Sequence, residues 1–227
     1  MIHDGQTRVS ELLGRVLLFD QALRTLLVQK QRAIPNGVRS NAGFAYSKIT
    51  MEHGAGISSL FKDSNPTAAF SLVRLQFEAM VRGSWITFAA NEAWLQKFAA
   101  PVTDNFGAEP NSFPPVPSML DALRTAESAP PELASSLSAL KALAWDSLNS
   151  YTHGGLRQMI RALEGYEVEL QLWMMRTSAS LTYVATQLLA FVVKDPALSH
   201  NLHAVRLAFS DCMHSDVTEQ RSGAVAS

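Results

Sequence analysis

The chain reads as an all-α, single-domain helical bundle of about seven to eight helices, and three observations predict it. Apolar residues recur at three- and four-residue steps, as in Leu12, Val16, Phe19, Leu23, Leu26 and Leu27. No run of alternating apolar and polar residues reads as a strand. Neither an internal repeat nor a sustained heptad array is present, so solenoid and coiled-coil architectures are set aside.

Taken in order, the first helix covers residues 7–33, where Ile34-Pro35-Asn36-Gly37 ends the pattern. A second covers 40–62. Asn65 then offers a cap with Pro66 at the first helical position, opening a third helix that runs through Ala90 and continues, bent, toward Ala99. Residues 100–117, "APVTDNFGAEPNSFPPVP", hold five of the ten prolines and form the long loop of the molecule. Helices follow near 117–127, 131–152, 155–164, 167–193 and about 196–214. Residues 1–215 thus make one bundle domain, and 216–227 a disordered tail.

A chain of 227 residues buries about 70% of its unfolded surface. Only 17% of it is charged, against about 25% in an average globular protein. So few charges leave less with which to cover the surface, which predicts a further buried face, most simply a homodimer interface. Nineteen Lys and Arg stand against twenty Asp and Glu, so contact with RNA would need a local basic groove rather than an overall charge. A single cysteine, Cys212, leaves no intrachain disulfide. The opening "MIHDGQTRVSELLGR" does not read as a signal peptide. The uncharged run 177–193 is short for a membrane span and carries Thr, Ser, Tyr and Gln, so a buried helix, no membrane partner and a cytoplasmic location are expected.

Spacing excludes several chemistries. There is no Walker loop, GxSxG or HExxH, and no glutamate has a histidine three residues on, as a di-iron bundle requires. His200 and His203 lie one turn apart but lack a third ligand at a fitting step, so neither a metal nor a cofactor is expected. "HGAGISS" (53–59) imitates part of a dinucleotide loop without the preceding strand, and reads better as small residues for close helix packing. "SALK" (138–141) lacks the companion motifs of a Ser-Lys site.

Two stretches do not look like surface. In "FSLVRLQFEAMVRGSWITF" (70–88), Arg74, Glu78, Arg82 and Trp85 fall within about 80° of one helical face. Apolar residues flank that stripe on both sides, and Gln76, Met80, Gly83, Ser84 and Thr87 lie opposite without a charge. A surface helix puts its charges opposite its apolar stripe, so these point into the bundle or a cleft. They form either a structural Arg-Glu-Arg ladder or a ligand-facing cluster. On the helix ending in "NSYTHGG" (149–155), Leu137, Leu140, Ala144, Leu148 and Tyr151 make an apolar face, while Asp146, Asn149, Ser150 and His153 line a polar one. Gly154-Gly155 permits a sharp stop. His153 at that end sits where the helix dipole favours its protonated form, and beside a carboxylate and two arginines it is equally a candidate general acid or base. Arg74, Glu78, Arg82 and His153 are therefore the candidate catalytic residues, and Trp85, Asp146, Asn149 and Tyr151 the candidate binding residues.

"RLQFEAMVRGSW" (74–85) and "LNSYTHGGLRQM" (148–159), in that order with a proline-bearing loop between them, resemble an uncharacterised all-helical bacterial domain-of-unknown-function family. The resemblance implies Arg74, Glu78, Arg82 and His153 as signature residues and carries no established activity. More remotely the chain resembles the HEPN superfamily of helical bundles, several of which are metal-independent ribonucleases of toxin and abortive-infection systems. Their site is an Arg, four to six residues, then a His, usually doubled across a dimer. No histidine here has an arginine at that distance, the nearest imitation being Lys48 and His53. The resemblance thus implies an Arg and a His brought from different helices, such as Arg74 or Arg82 with His153. Two functions compete: a HEPN-like, metal-independent RNA-cleaving protein, and a non-enzymatic dimeric binding module whose polar cluster is structural or holds a small anion. A metal-dependent hydrolase built on His200 and His203 ranks last.

Overall fold

The computed structural model describes residues 2–98 and 113–214, and only the backbone of residues 2, 3, 97, 98 and 146. The described residues form nine α-helices and a closing 3-10 turn: α1 (Ile2–Val28), α2 (Val38–Lys62), α3 (Pro66–Phe88), α4 (Glu92–Phe98), α5 (Val116–Thr125), α6 (Pro131–Thr152), α7 (Leu156–Glu164), α8 (Val168–Val192), α9 (Pro196–Ala208) and the turn Ser210–Cys212. The all-α bundle predicted from the periodicity is the fold. Most of the proline-rich loop and the tail lie outside the described residues.

At the centre, α3 packs on α2 and α8 and carries α5 and α6 on its other side. Its uncharged side is fully covered: Gln76, Met80 and Ser84 are buried. The Gln76 amide donates to Thr182 Oγ1 (3.1 Å), to the Ser178 carbonyl (3.1 Å) and to the Thr50 carbonyl (3.3 Å), joining α2, α3 and α8. Two buried hydroxyls bond back into their own helices, Ser47 to the Gly43 carbonyl and Thr87 to the Gly83 carbonyl, whereas Ser84 Oγ is buried without a partner among the described residues. The small residues in "HGAGISS" allow this closeness. A methyl group at Gly54 would run into the Thr182 hydroxyl, and one at Gly83 would lie 2.7 Å from Tyr46 Cβ. One apolar core gathers Phe19, Phe70, Tyr151 and Leu202 from α1, α3, α6 and α9. A second gathers Phe77, Trp85, Met119 and Leu137 from α3, α5 and α6.

Element ends differ from the expected ones for local reasons. The first helix stops at Val28 rather than 33, because the Arg32 guanidinium folds back onto the terminal carbonyls of Leu27 (2.8 Å) and Leu26 (3.3 Å). The bend expected after Ala90 is a full break, where the Asn91 side chain caps α4 by accepting from the Trp94 N–H at 2.8 Å. Pro117 does not stop α5, which begins at Val116, because a proline in the first turn removes only an N–H that has no intrahelical partner. The last helix ends at Ala208, and its continuation is the 3-10 turn. No helix among the described residues is long and apolar enough to cross a membrane.

Candidate functional site

Helices α3 and α6 run antiparallel, with Ser71 beside Tyr151 and Thr152 and Phe77 beside Trp145. Along this seam two ladders of four-residue step face each other, Arg74, Glu78 and Arg82 on α3, and Lys141, Trp145, Asn149 and His153 on α6. The first folds on itself through one carboxylate. Arg74 Nε donates to Glu78 Oε1 (2.8 Å), and Arg82 Nη2 donates to Glu78 Oε2 (3.0 Å). The side chains of Arg74 and Glu78 are only 16% and 13% exposed and that of Arg82 is 35% exposed, so the ladder lies at the edge of the bundle rather than on its open surface.

The second ladder closes over the first. Arg74 Nη1 lies 2.9 Å from His153 Nε2. A guanidinium only donates, so in this contact the ring nitrogen is the acceptor. The Arg74 guanidinium also lies over the Trp145 ring (4.8 Å to its centre), which Lys141 Nζ approaches as well (5.4 Å). Arg82 lies over Phe113, 5.2 Å from the ring centre. Its Nε is buried without a hydrogen-bond partner among the described residues, as is Asn149 Oδ1.

Backbone geometry sets His153 in place. It is the C-cap of α6, its N–H donating to the Asn149 carbonyl (3.1 Å). Gly154 takes a positive φ of 67°, and Gly155 donates to the Ser150 carbonyl at 2.7 Å, so the chain leaves α6 sharply and the imidazole stays exposed.

Two of the candidate binding residues, Trp85 and Tyr151, lie apart. Trp85 is buried against Trp94 (ring centres 4.6 Å) and Phe113, in the second core. Tyr151 is buried in the first core against Phe70 at 5.1 Å; burial raises its hydroxyl above the ordinary phenol range, and Arg161 hydrogen-bonds it. Asn149 is a step of the α6 ladder, and the Asp146 side chain is outside the described residues. The sequence reading missed Lys141, Trp145 and Phe113. The first two carry a legible signal, since they continue the His153–Asn149 spacing one and two steps further up α6. Phe113 carries none, because it reaches Arg82 from the loop before α5.

His200 and His203 are both exposed on α9, and among the described residues no three His, Cys, Asp or Glu side chains group as metal ligands. Lys48 pairs with Glu52 (3.5 Å) rather than joining His53 in a site. Ser138 donates to the Ala134 carbonyl (2.6 Å) within its own helix. Cys212 is buried, and burial pushes its thiol up to about 11, so it is no nucleophile at neutral pH.

Residues 47–215 match the model of the Family of unknown function (DUF6988). The chain belongs to this family. Both ladders lie inside the segment matched by DUF6988, whereas α1 and the start of α2 lie outside it. No curated protein and no solved structure matches the chain.

Proposed function

We propose that the seam between α3 and α6 is a binding site for a small anionic group of phosphate type. The observation that carries this reading is the imbalance of charge around His153: among the described side chains Glu78 alone counters both Arg74 and Arg82, and Lys141 adds a further cation over the shared Trp145 ring. The described side chains of the cluster therefore carry net positive charge at a partly exposed edge, next to an exposed imidazole. Arginine presents a fork of donors suited to a phosphate, and the Arg82 Nε has no partner among the described residues.

The test titrates inorganic phosphate and a short RNA while following the His153 ring by NMR and Trp145 by fluorescence. Saturable changes that disappear in Arg74→Ala and Arg82→Ala support the site. Signals unmoved by either probe mean that the ladders only lock two helices together.

A second reading, cleavage of RNA without a metal, rests on the 2.9 Å approach of Arg74 to His153. An arginine and a histidine from different helices converge as a HEPN-like site would need. If Arg74 turned to a bound phosphodiester, an unprotonated Nε2 would be free to take the proton of the 2′-hydroxyl as its oxygen attacks phosphorus; the P–O5′ bond then breaks, the 5′-oxygen takes a proton from water, and a 2′,3′-cyclic phosphate is left, with the guanidinium countering charge on the phosphorane. RNA degradation that persists in EDTA and is lost in His153→Ala supports this reading; degradation equal in His153→Ala sinks it.

A further inference from the structure

Helix α7 has no buried residue, although it follows the most sharply two-sided pattern in the chain. Leu156, Met159 and Leu163 fall within about 60° of one another around the helix, and they are 66%, 53% and 81% exposed. A helix so patterned ordinarily lays that stripe on its own core. Here polar contacts hold α7 to α6, to Ser71 of α3 and to the segment before α8 instead. The Arg157 N–H donates to Ser150 Oγ (3.1 Å) and its guanidinium to Ser147 Oγ (2.7 Å), while Arg161 pairs with Glu167 at 2.9 Å. The apolar stripe is left turned to solvent, which is the mark of a surface meant to be covered.

Charge placement indicates what covers it. Arg157 and Glu164 lie at opposite ends of α7 but on the same flank of the stripe, within about 20° of each other around the helix. A two-fold axis that pairs two α7 helices antiparallel keeps like flanks together and reverses the ends. Arg157 of each copy then meets Glu164 of the other, twice, with the two stripes packed between them. This is the self-complementary arrangement that an isologous interface demands. We propose that the Leu156–Met159–Leu163 face of α7 is the seam at which two copies of this chain associate. The low proportion of charged residues, 17%, agrees with a further face buried in an assembly. The proposal is independent of the anion site.

Sedimentation equilibrium of the full chain at micromolar concentrations tests it. The expected result is a dimer that Met159→Glu and Leu163→Asp each weaken about tenfold or more, with helicity unchanged because neither residue is buried within its own chain. Arg157→Glu and Glu164→Arg each weaken the dimer as well, and the two combined restore it. A chain that stays monomeric overturns the proposal, as does a dimer indifferent to Met159→Glu and Leu163→Asp. A monomer that binds anionic phosphatidylserine vesicles, and loses that binding in Met159→Glu, overturns it too and assigns the stripe to lipid.

Discussion

At the scale of single residues, Glu78 decides the character of the seam. One carboxylate receives two guanidiniums at 2.8 and 3.0 Å in a setting only 13% exposed. Glu78→Ala leaves two half-buried cations facing each other, with an expected loss of about 1–3 kcal/mol in urea unfolding, whereas His153→Ala, at an exposed position, costs little. A Glu78→Ala chain as stable as the parent would show that the arginines are solvated rather than held. The arginine–glutamate spacing was legible in the sequence because an i, i+4 step on a helix is a distance. The contact between Arg74 and His153 was not, because seventy-nine residues separate them and only the packing of α3 on α6 sets their approach.

At the scale of elements, two connections in the molecule use the same local device. α2 passes to α3 through Ser64 (φ 55°), Asn65 and Pro66, and α8 passes to α9 through Lys194 (φ 52°), Asp195 and Pro196. In each, the capping residue closes the old helix, Asn65 N–H to the Leu60 carbonyl (2.8 Å) and Asp195 N–H to the Ala190 carbonyl (3.1 Å). The same residue's side chain then accepts from the first turn of the next helix. The cap and proline announced one of these restarts in the sequence, but the left-handed residue before each is invisible there, since neither serine nor lysine signals it. Lys194→Gly relieves that conformation and is expected to raise stability by about 0.5–1 kcal/mol; a lower melting temperature would mean that the lysine side chain contributes more than the strain costs.

At the scale of the whole molecule, acidic groups give stability opposing dependences on pH. Burial pushes Asp20 up to about 6 from its ordinary 3.8, against the pull of Arg24 and the Ser58 hydroxyl at 3.4 Å. The fold thus prefers Asp20 protonated, and stability falls as pH rises from about 4 to about 6. Hydrogen bonds from Arg32 and Arg15 hold Asp195 and Asp211 below the ordinary carboxylate range, so their contributions are present at neutral pH and are lost as it falls below about 4. Asp20→Asn is expected to flatten the decline between those values and to stabilise the protein at pH 7 by about 1–3 kcal/mol, read from thermal melts across pH. A variant that retains the full decline would place its origin elsewhere.

What the sequence by itself determined was local. The helical class, the Asn65 cap, the extent of α6 and the unusual position of charge on α3 all follow from spacings of one to four residues, over which backbone geometry converts sequence into distance. The tertiary structure decided what depends on contact between distant segments. Arg32 turning back on α1 ended that helix early, the close approach of α2, α3 and α8 gave the uncharged side of α3 its partners, and Trp85 and Tyr151 were sent to separate cores. It also set Trp145 under Arg74 and left the stripe of α7 facing outward. Periodicity states that a face is apolar; only packing determines whether the chain itself covers it.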